Sequence, residues 1–510
     1  MGGIEWAARS IEQMAAWADR VAKRADAFAW LNRTSLMLER LSFATVCLCV
    51  VATLAVVFAA MSTASLWQDE LATVMFFSSQ GPWHTVTTYA SGSNNHIFFN
   101  LLNALTPKTD PFDPLQARFW SFASVAACAT FLGVFFARRG FYLEGAIGLA
   151  LLFLSIPLVE LSGQARGYGL AGLAATATCI ALVKYNERPA LAPILVVGVA
   201  TVLGSYSLLT YLALGFSALG VAFVFSRDYR WVVVGAAAFI VLVGLHAAVI
   251  DDIYRTSIGW AAKWGAPYAT INATTQTVSQ YFLIGASDQL LFFLFSALAL
   301  GAMIAEDTAH TRAARMLLAT SLLFLAGCLV MKTTTVRAAF FVAYPLTVCM
   351  LLLVSQLRRF AAVRLLLPLM AVLVGFVASN KSYGQIDRFE YLPRDNWKGA
   401  AEYIESSLPP GTPVYVNQRA HNLRAYLSED FPIVNSFDAG QFSKGLMVVV
   451  DFALKPEDRF DTTQLGSAWK ETSIPQLRNS RIIIYLTAGC CGVDDHSTPT
   501  KPGVTPPNIP

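Results

Sequence analysis

Charge is scarce in this sequence: 14% of its 510 residues are Asp, Glu, Lys or Arg, against about 25% in soluble globular chains. Hydrophobic residues make up 55%, and the mean hydropathy is +0.51. A chain so poor in charge cannot hide its apolar surface from water, which excludes a soluble enzyme, a fibrous protein and a disordered chain. Basic residues form no stripe, and the net charge is only +4, so a nucleic-acid partner is excluded as well. Cysteine supplies no framework. Six of the eight (Cys47, Cys49, Cys128, Cys179, Cys328 and Cys349) sit in apolar runs as small hydrophobes. The other two, Cys490 and Cys491, are adjacent, without the spacing of a disulfide framework or a zinc site. No small-residue cleavage site follows the first apolar run, and no internal repeat is visible.

What is present is a series of separated apolar runs, each about long enough to span a bilayer core as a helix. The expected spans are 42–62, 115–137, 143–161, 168–184, 190–206, 208–225, 231–250, 289–304, 316–331, 338–354 and 363–379, about eleven transmembrane helices in a mainly α, polytopic membrane protein. Residues 1–41 mix charges with apolar residues at helical spacing and read as an amphipathic segment on the inner membrane surface. Arg9, Arg20, Lys23, Arg24, Arg33 and Arg40 precede the first span. Arg138/Arg139, Lys184/Arg188, Arg227/Arg230, Arg312/Arg315 and Arg358/Arg359/Arg364 fall in alternate, tight loops. The other loops hold only Lys108, Arg166, Arg255, Lys263, Lys332 and Arg337 before the tail. The positive-inside rule therefore expects a cytoplasmic N-terminus and an extracytoplasmic C-terminal part.

The two long outer loops, 63–114 and 251–288, are rich in aromatic residues suited to a membrane interface. Residues 380–492 read as a small α/β domain. DNWKGAAEYIESS has Asp395 as its expected N-cap and PPG as its stop, and PVYVN, LMVVVDF and RIIIYL have strand character, with the helix-like RAHNLRAYL among them. Residues 493–510 form a Pro-rich tail expected to be disordered.

Ionisable groups held at the edge of an apolar phase are the informative ones. Asp69 and Glu70, in WQDE, directly follow the first span between apolar residues. A carboxylate at such an interface either is solvated or serves as a general base whose pKa desolvation raises. Asn94, Asn95 and His96 head the apolar stretch IFFNLL, either as a polar N-cap or as substrate-binding groups. Arg166 is the sole charge in the outer turn GQARGYGL. It either snorkels to lipid phosphate or captures a substrate phosphate with its two-pronged guanidinium. Lys332 and Arg337 flank another outer turn and add cations on the same side. Arg118, Glu160 and His246, near span ends, are weaker candidates.

In chain order, WQDE, NNHIFFNLL, ARGYGL, VRAAFFVAYPLTVCMLLL and PRDNWKGAAEYIESSLPPGTPVYV resemble the GT-C superfamily of membrane glycosyltransferases. The likeness is to the family 39 branch that holds protein O-mannosyltransferases and the aminoarabinose transferase of lipid A. The resemblance implies an enzyme of the bacterial inner membrane. It would move a hexose or pentose, with inversion, from a polyprenyl-phosphate donor to an extracytoplasmic lipid, glycan or protein. It further implies that Asp69 is the general base and that Glu70 orients the acceptor or contributes to a metal site. Arg166 and Arg337, helped by Lys332, would hold the departing lipid phosphate, with Tyr168 against the sugar or prenyl chain. One position departs from the pattern: Ile97 follows His96 where many relatives have Pro. Some relatives use a divalent ion, but this sequence shows no metal-ligand spacing and no required metal is expected.

Two other classes compete. A sugar-lipid transporter or flippase would carry ionisable groups deep in its spans, whereas the candidate charges here cluster at outer span ends. A non-catalytic assembly protein for envelope polysaccharide would have no use for Asp69 in particular.

Overall fold

The computed structural model describes residues 29–89, 96–255, 300–302, 304–330, 340–357, 396–416, 420–434, 446–450, 469–472 and 482–487. The chain divides into two compact units: Met1–Ala64 with Ala72–Leu392, and Ser65–Leu71 with Pro393–Pro510.

The first unit is helical. Its elements are α1 (Ala29–Thr63), α2 (Gln68–Phe76, whose first residues belong to the second unit), α3 (Pro82–Thr87), α4 (Ile97–Leu105), α5 (Pro114–Ala137), α6 (Tyr142–Phe153), α7 (Ile156–Gly163), α8 (Tyr168–Glu187), α9 (Leu191–Ser207), α10 (Tyr211–Ser226), α11 (Arg230–His246), α12 (Ala309–Val330) and α13 (Ala343–Leu357). Among the described residues, Leu36–Thr63, Pro114–Ala137, Tyr168–Glu187 and Ala309–Cys328 are long and apolar enough to cross a membrane. Five further apolar helices are shorter. Spans one to seven, nine and ten of the sequence reading fall on helices. Most of span eight and the whole of span eleven lie outside the described residues.

Two spans differ in detail. α1 runs unbroken from Ala29, because no Pro or Gly interrupts the passage from the charged segment into the apolar run. The third span is two helices, broken at Leu154–Ser155. Pro157 at the start of α7 has no N–H to donate back to Phe153, so α6 stops there. α5 begins by design of its first residues: Pro114 stands at N1 and Asp113 accepts from the Gln116 N–H at 2.9 Å.

The buried core is aromatic and aliphatic, with Trp231, Tyr211, Tyr344, Phe340, Phe341 and Phe324 fully enclosed. By contrast, Leu48, Ile240 and Val233 are exposed, as lipid-facing side chains are. Ion pairs gather basic residues at one end of the bundle. Arg139 forks onto Glu187 at 2.8 and 2.5 Å, and His310 Nε2 lies 3.4 Å from the same carboxylate. Arg230 pairs with Asp228, which also accepts from the Tyr185 hydroxyl.

The second unit is α/β: α14 (Trp397–Ser407), β1 (Val414–Val416), α15 (Ala420–Arg424), β2 (Ile433–Val434), β3 (Leu446–Val450), β4 (Trp469–Thr472) and β5 (Ile482–Thr487). The strands form one mixed sheet in the order β2-β1-β3-β5-β4. β1 is parallel to β2 and β3, and β5 is antiparallel to β3 and β4. The N-cap of α14 is Asn396, not Asp395: the Asn396 side chain accepts from the Gly399 N–H at 3.0 Å. Both residue types suit the position, and the register is set by burying Trp397 completely. Asp395 lies outside the described residues. At the stop, Gly411 takes a left-handed φ of 84°, and its N–H donates to the Asp430 carbonyl at 2.8 Å.

Candidate functional site

The turn between α7 and α8 carries Arg166. Its backbone is pinned by Ser121 in α5, whose hydroxyl donates to the carbonyls of Gln164 at 2.5 Å and Arg166 at 3.1 Å. Glycine is required in this turn for space. A Cβ on Gly167 would lie 2.0 Å from the Ser207 carbonyl oxygen, and one on Gly169 would lie 2.8 and 2.9 Å from the carbonyls of Ser162 and Ser121. The close approach brings the end of α9 against the turn.

His96, at the N-cap position of α4, fills the space beside it. Arg166 Nε donates to His96 Nε2 at 2.9 Å, and His96 Nδ1 lies 3.0 Å from the Ser207 carbonyl oxygen. Arginine has no lone pair to offer, so Nε2 must accept and the ring proton must sit on Nδ1, donating to Ser207. That arrangement requires a neutral ring. Burial, and then the Arg166 charge, hold the His96 pKa well below its ordinary value, although the Ser207 carbonyl acts the other way. Tyr168 completes the group: the Arg166 guanidinium carbon is 4.9 Å from its ring centre, and the His96 ring lies 5.6 Å away. Phe340 meets the Tyr168 ring edge-on at 5.6 Å. Arg166, His96 and Tyr168 are 6%, 3% and 3% exposed. The result is a buried, always-charged cation with its orientation fixed, suited to a phosphate.

Asp69 and Glu70 open α2, in its first turn, where carboxylates complement the helix dipole. Glu70 Oε2 accepts from the Trp67 N–H at 2.8 Å. This is the backward half of a capping box, and it occupies one carboxylate oxygen of a residue only 1% exposed. Asp69 is half-buried. The segment that carries both belongs to the second unit. The Leu66 N–H donates to the Tyr426 hydroxyl at 3.0 Å, and the Lys398 N–H donates to the Ser65 hydroxyl at 3.4 Å.

No protein-family model matches the sequence, and no curated protein matches it. Solved structures do match. One is ArnT from Cupriavidus metallidurans bound to undecaprenyl phosphate, with a TM-score of 0.52 and 12% identity, covering 87% of this chain and 98% of that one. The fold is that of ArnT. The apo state of the same protein aligns at a TM-score of 0.37 and 12% identity over 86% of this chain and 97% of that one.

Within this ArnT fold, the structure brings Arg166, Tyr168 and His96 together. Asn94, Asn95, Lys332 and Arg337 lie outside the described residues. Arg118 and His246 have local roles. The Arg118 guanidinium donates to the carbonyls of Met61 and, at 3.0 Å, Ala64, satisfying the C-terminal end of α1. His246 bonds back to the Leu242 carbonyl at 2.9 Å and packs edge-on to Tyr206. Glu160 is buried in α7. Sequence reading missed Ser121, Ser207 and Tyr426. The hydroxyls set in the apolar run FWSFAS were a usable signal for Ser121, but Ser207 acts through its backbone and left none. Among the described residues, no three His, Cys, Asp or Glu side chains group to hold a metal ion.

Proposed function

We propose that this protein is an inverting glycosyltransferase that takes a monosaccharide from a polyprenyl-phosphate donor. The supporting observation is the buried Arg166–His96–Tyr168 group in a fold whose ArnT representative is bound to undecaprenyl phosphate. Arg166 holds the donor phosphate, and His96 is a positioning residue that keeps the guanidinium aimed by accepting its Nε–H. Tyr168 packs on the guanidinium and offers an aromatic wall to the sugar or the first prenyl units. Lys332 and Arg337 supply further positive charge, and Asn94 and Asn95 contact the sugar.

Asp69 is the general base. It takes the proton of an acceptor hydroxyl, the hydroxyl oxygen attacks the anomeric carbon, and the bond from that carbon to the phosphate oxygen breaks. The electron pair leaves with the polyprenyl phosphate, whose charge the cations stabilise. Glu70 fixes the helix that presents Asp69. The basic end of the bundle faces the cytoplasm and the Arg166 end faces outward, following the positive-inside rule. The acceptor is a lipid, glycan or protein outside the membrane.

The test is reconstitution of the purified full chain with labelled polyprenyl-phosphate sugars and a lipid and glycan extract, wild type beside Asp69→Asn. Label should move to a new species and be lost by about 10²–10⁴-fold in the folded variant, the usual contribution of a general base. Label that stays on the donor across a panel of sugars, or transfer indifferent to Asp69→Asn, contradicts the reading and turns the question to lipid translocation.

A further inference from the structure

An apolar groove of about 470 Å³ runs between α1, α5 and α6, and no residue of the Arg166 group lines it. Its volume lies in the range of about 300–1,000 Å³ that holds a small ligand. One wall is a single stripe of α1 from Phe43 through Cys47, Val50 and Leu54 to Phe58, about 22 Å long at helical rise. The facing wall on α5 is hollowed by Ala126, Ala129, Gly133 and Ala137. Its one hydroxyl, Thr130, is turned back to the Ala126 carbonyl at 2.8 Å, so the groove asks for hydrocarbon.

The two ends differ. At one, Phe58 stacks on Phe122 at 4.1 Å. At the other, Arg40 lies one turn before Phe43, its guanidinium 5.4 Å from the Tyr142 ring, and Arg138 directly follows Ala137. Both are exposed, whereas their neighbour Arg139 is engaged with Glu187. The carboxylates on these elements, Glu39 and Glu144, are buried at 3% and 0% exposure. A hydrocarbon slot ending at two exposed cations complements one chemistry: an acyl chain attached to an anionic headgroup.

We propose that this groove binds an anionic phospholipid, one acyl chain lying along the α1–α5 seam and its phosphate on Arg40 and Arg138. The assignment rests on the membrane location of the helices and not on the reaction proposed above. The full chain in nanodiscs of mixed phosphatidylglycerol and phosphatidylcholine, released into native mass spectrometry, should retain phosphatidylglycerol preferentially. Arg40→Gln and Arg138→Gln should each cut that retention about fivefold, which corresponds to about 1 kcal/mol per juxtamembrane cation. Ala129→Phe should fill the groove and abolish retention with the thermal transition intact, and Thr130→Phe serves if that variant fails to fold. Equal retention of the two lipids, or retention unchanged in the charge variants, overturns the proposal. So does finding a prenyl phosphate held there instead, which would assign the groove to the donor tail.

Discussion

Arg166 is held by a histidine that can accept its Nε–H only while neutral, and this gives the pair a pH dependence of known sign. Burial and the Arg166 charge lower the His96 pKa in the folded state relative to the ordinary value of 6.5. The unfolded chain therefore binds the proton more readily. The stabilisation is fully present above pH 6.5 and is lost as pH falls below it toward the folded value. Thermal stability and donor affinity should both decline on acidification from pH 7 to 5, as read by unfolding scans and binding titrations. His96→Gln should flatten that decline, since a Gln side-chain oxygen can accept from Arg166 without titrating. A variant as pH-sensitive as wild type would remove His96 from the account. Gly167→Ala probes the same site by space: its Cβ would sit 2.0 Å from the Ser207 carbonyl oxygen. Overpacking against backbone should cost at least about 1–3 kcal/mol in denaturant unfolding.

At the scale of the element, α2 separates scaffold from chemistry. Glu70 caps it through the Trp67 N–H, and Gln can make the same bond. Glu70→Gln should therefore keep stability and transfer near wild type, whereas Glu70→Ala should lose about 1 kcal/mol of stability. If Glu70→Gln abolishes transfer in a folded protein, Glu70 has a chemical role beyond the cap. Tyr426→Phe removes the acceptor of the Leu66 N–H and should cost about 1–3 kcal/mol in the second unit, the penalty of an unpaired buried group. Much of this level was legible in the sequence. The PPG stop marks a helix end by mechanism and the apolar runs mark the long helices, whereas the break before Pro157 was passed over when 143–161 was read as one span. The alliance of Ser65–Leu71 with the C-terminal unit was not legible, because it joins residues more than three hundred positions apart in the sequence. β2 and β4 were also missed: Ile433–Val434 is too short to show alternation, and WKET has no apolar pattern.

At the scale of the whole molecule, the composition dictates a membrane protein, and the ordered series of short motifs pointed to a fold that the ArnT structure bound to undecaprenyl phosphate shares. What the sequence could not supply is the pairing of His96 with Arg166, two loop residues seventy positions apart that meet only because Gly167 lets α9 close on the turn. The proposed orientation predicts that a charged maleimide added to intact spheroplasts labels Glu429→Cys in the C-terminal unit and spares Arg188→Cys at the basic end. The reverse pattern would invert the topology. The central claim is that Arg166 holds a lipid phosphate. The most direct measurement is binding of undecaprenyl phosphate and of undecaprenol to the full chain in nanodiscs, wild type beside Arg166→Gln. The account predicts that wild type prefers the phosphate and that the variant loses about 10–100-fold in affinity for it, as expected for about 1.5–3 kcal/mol of charge-assisted bonding. Equal binding of the two lipids by wild type, or undiminished phosphate binding by a folded Arg166→Gln, would contradict it.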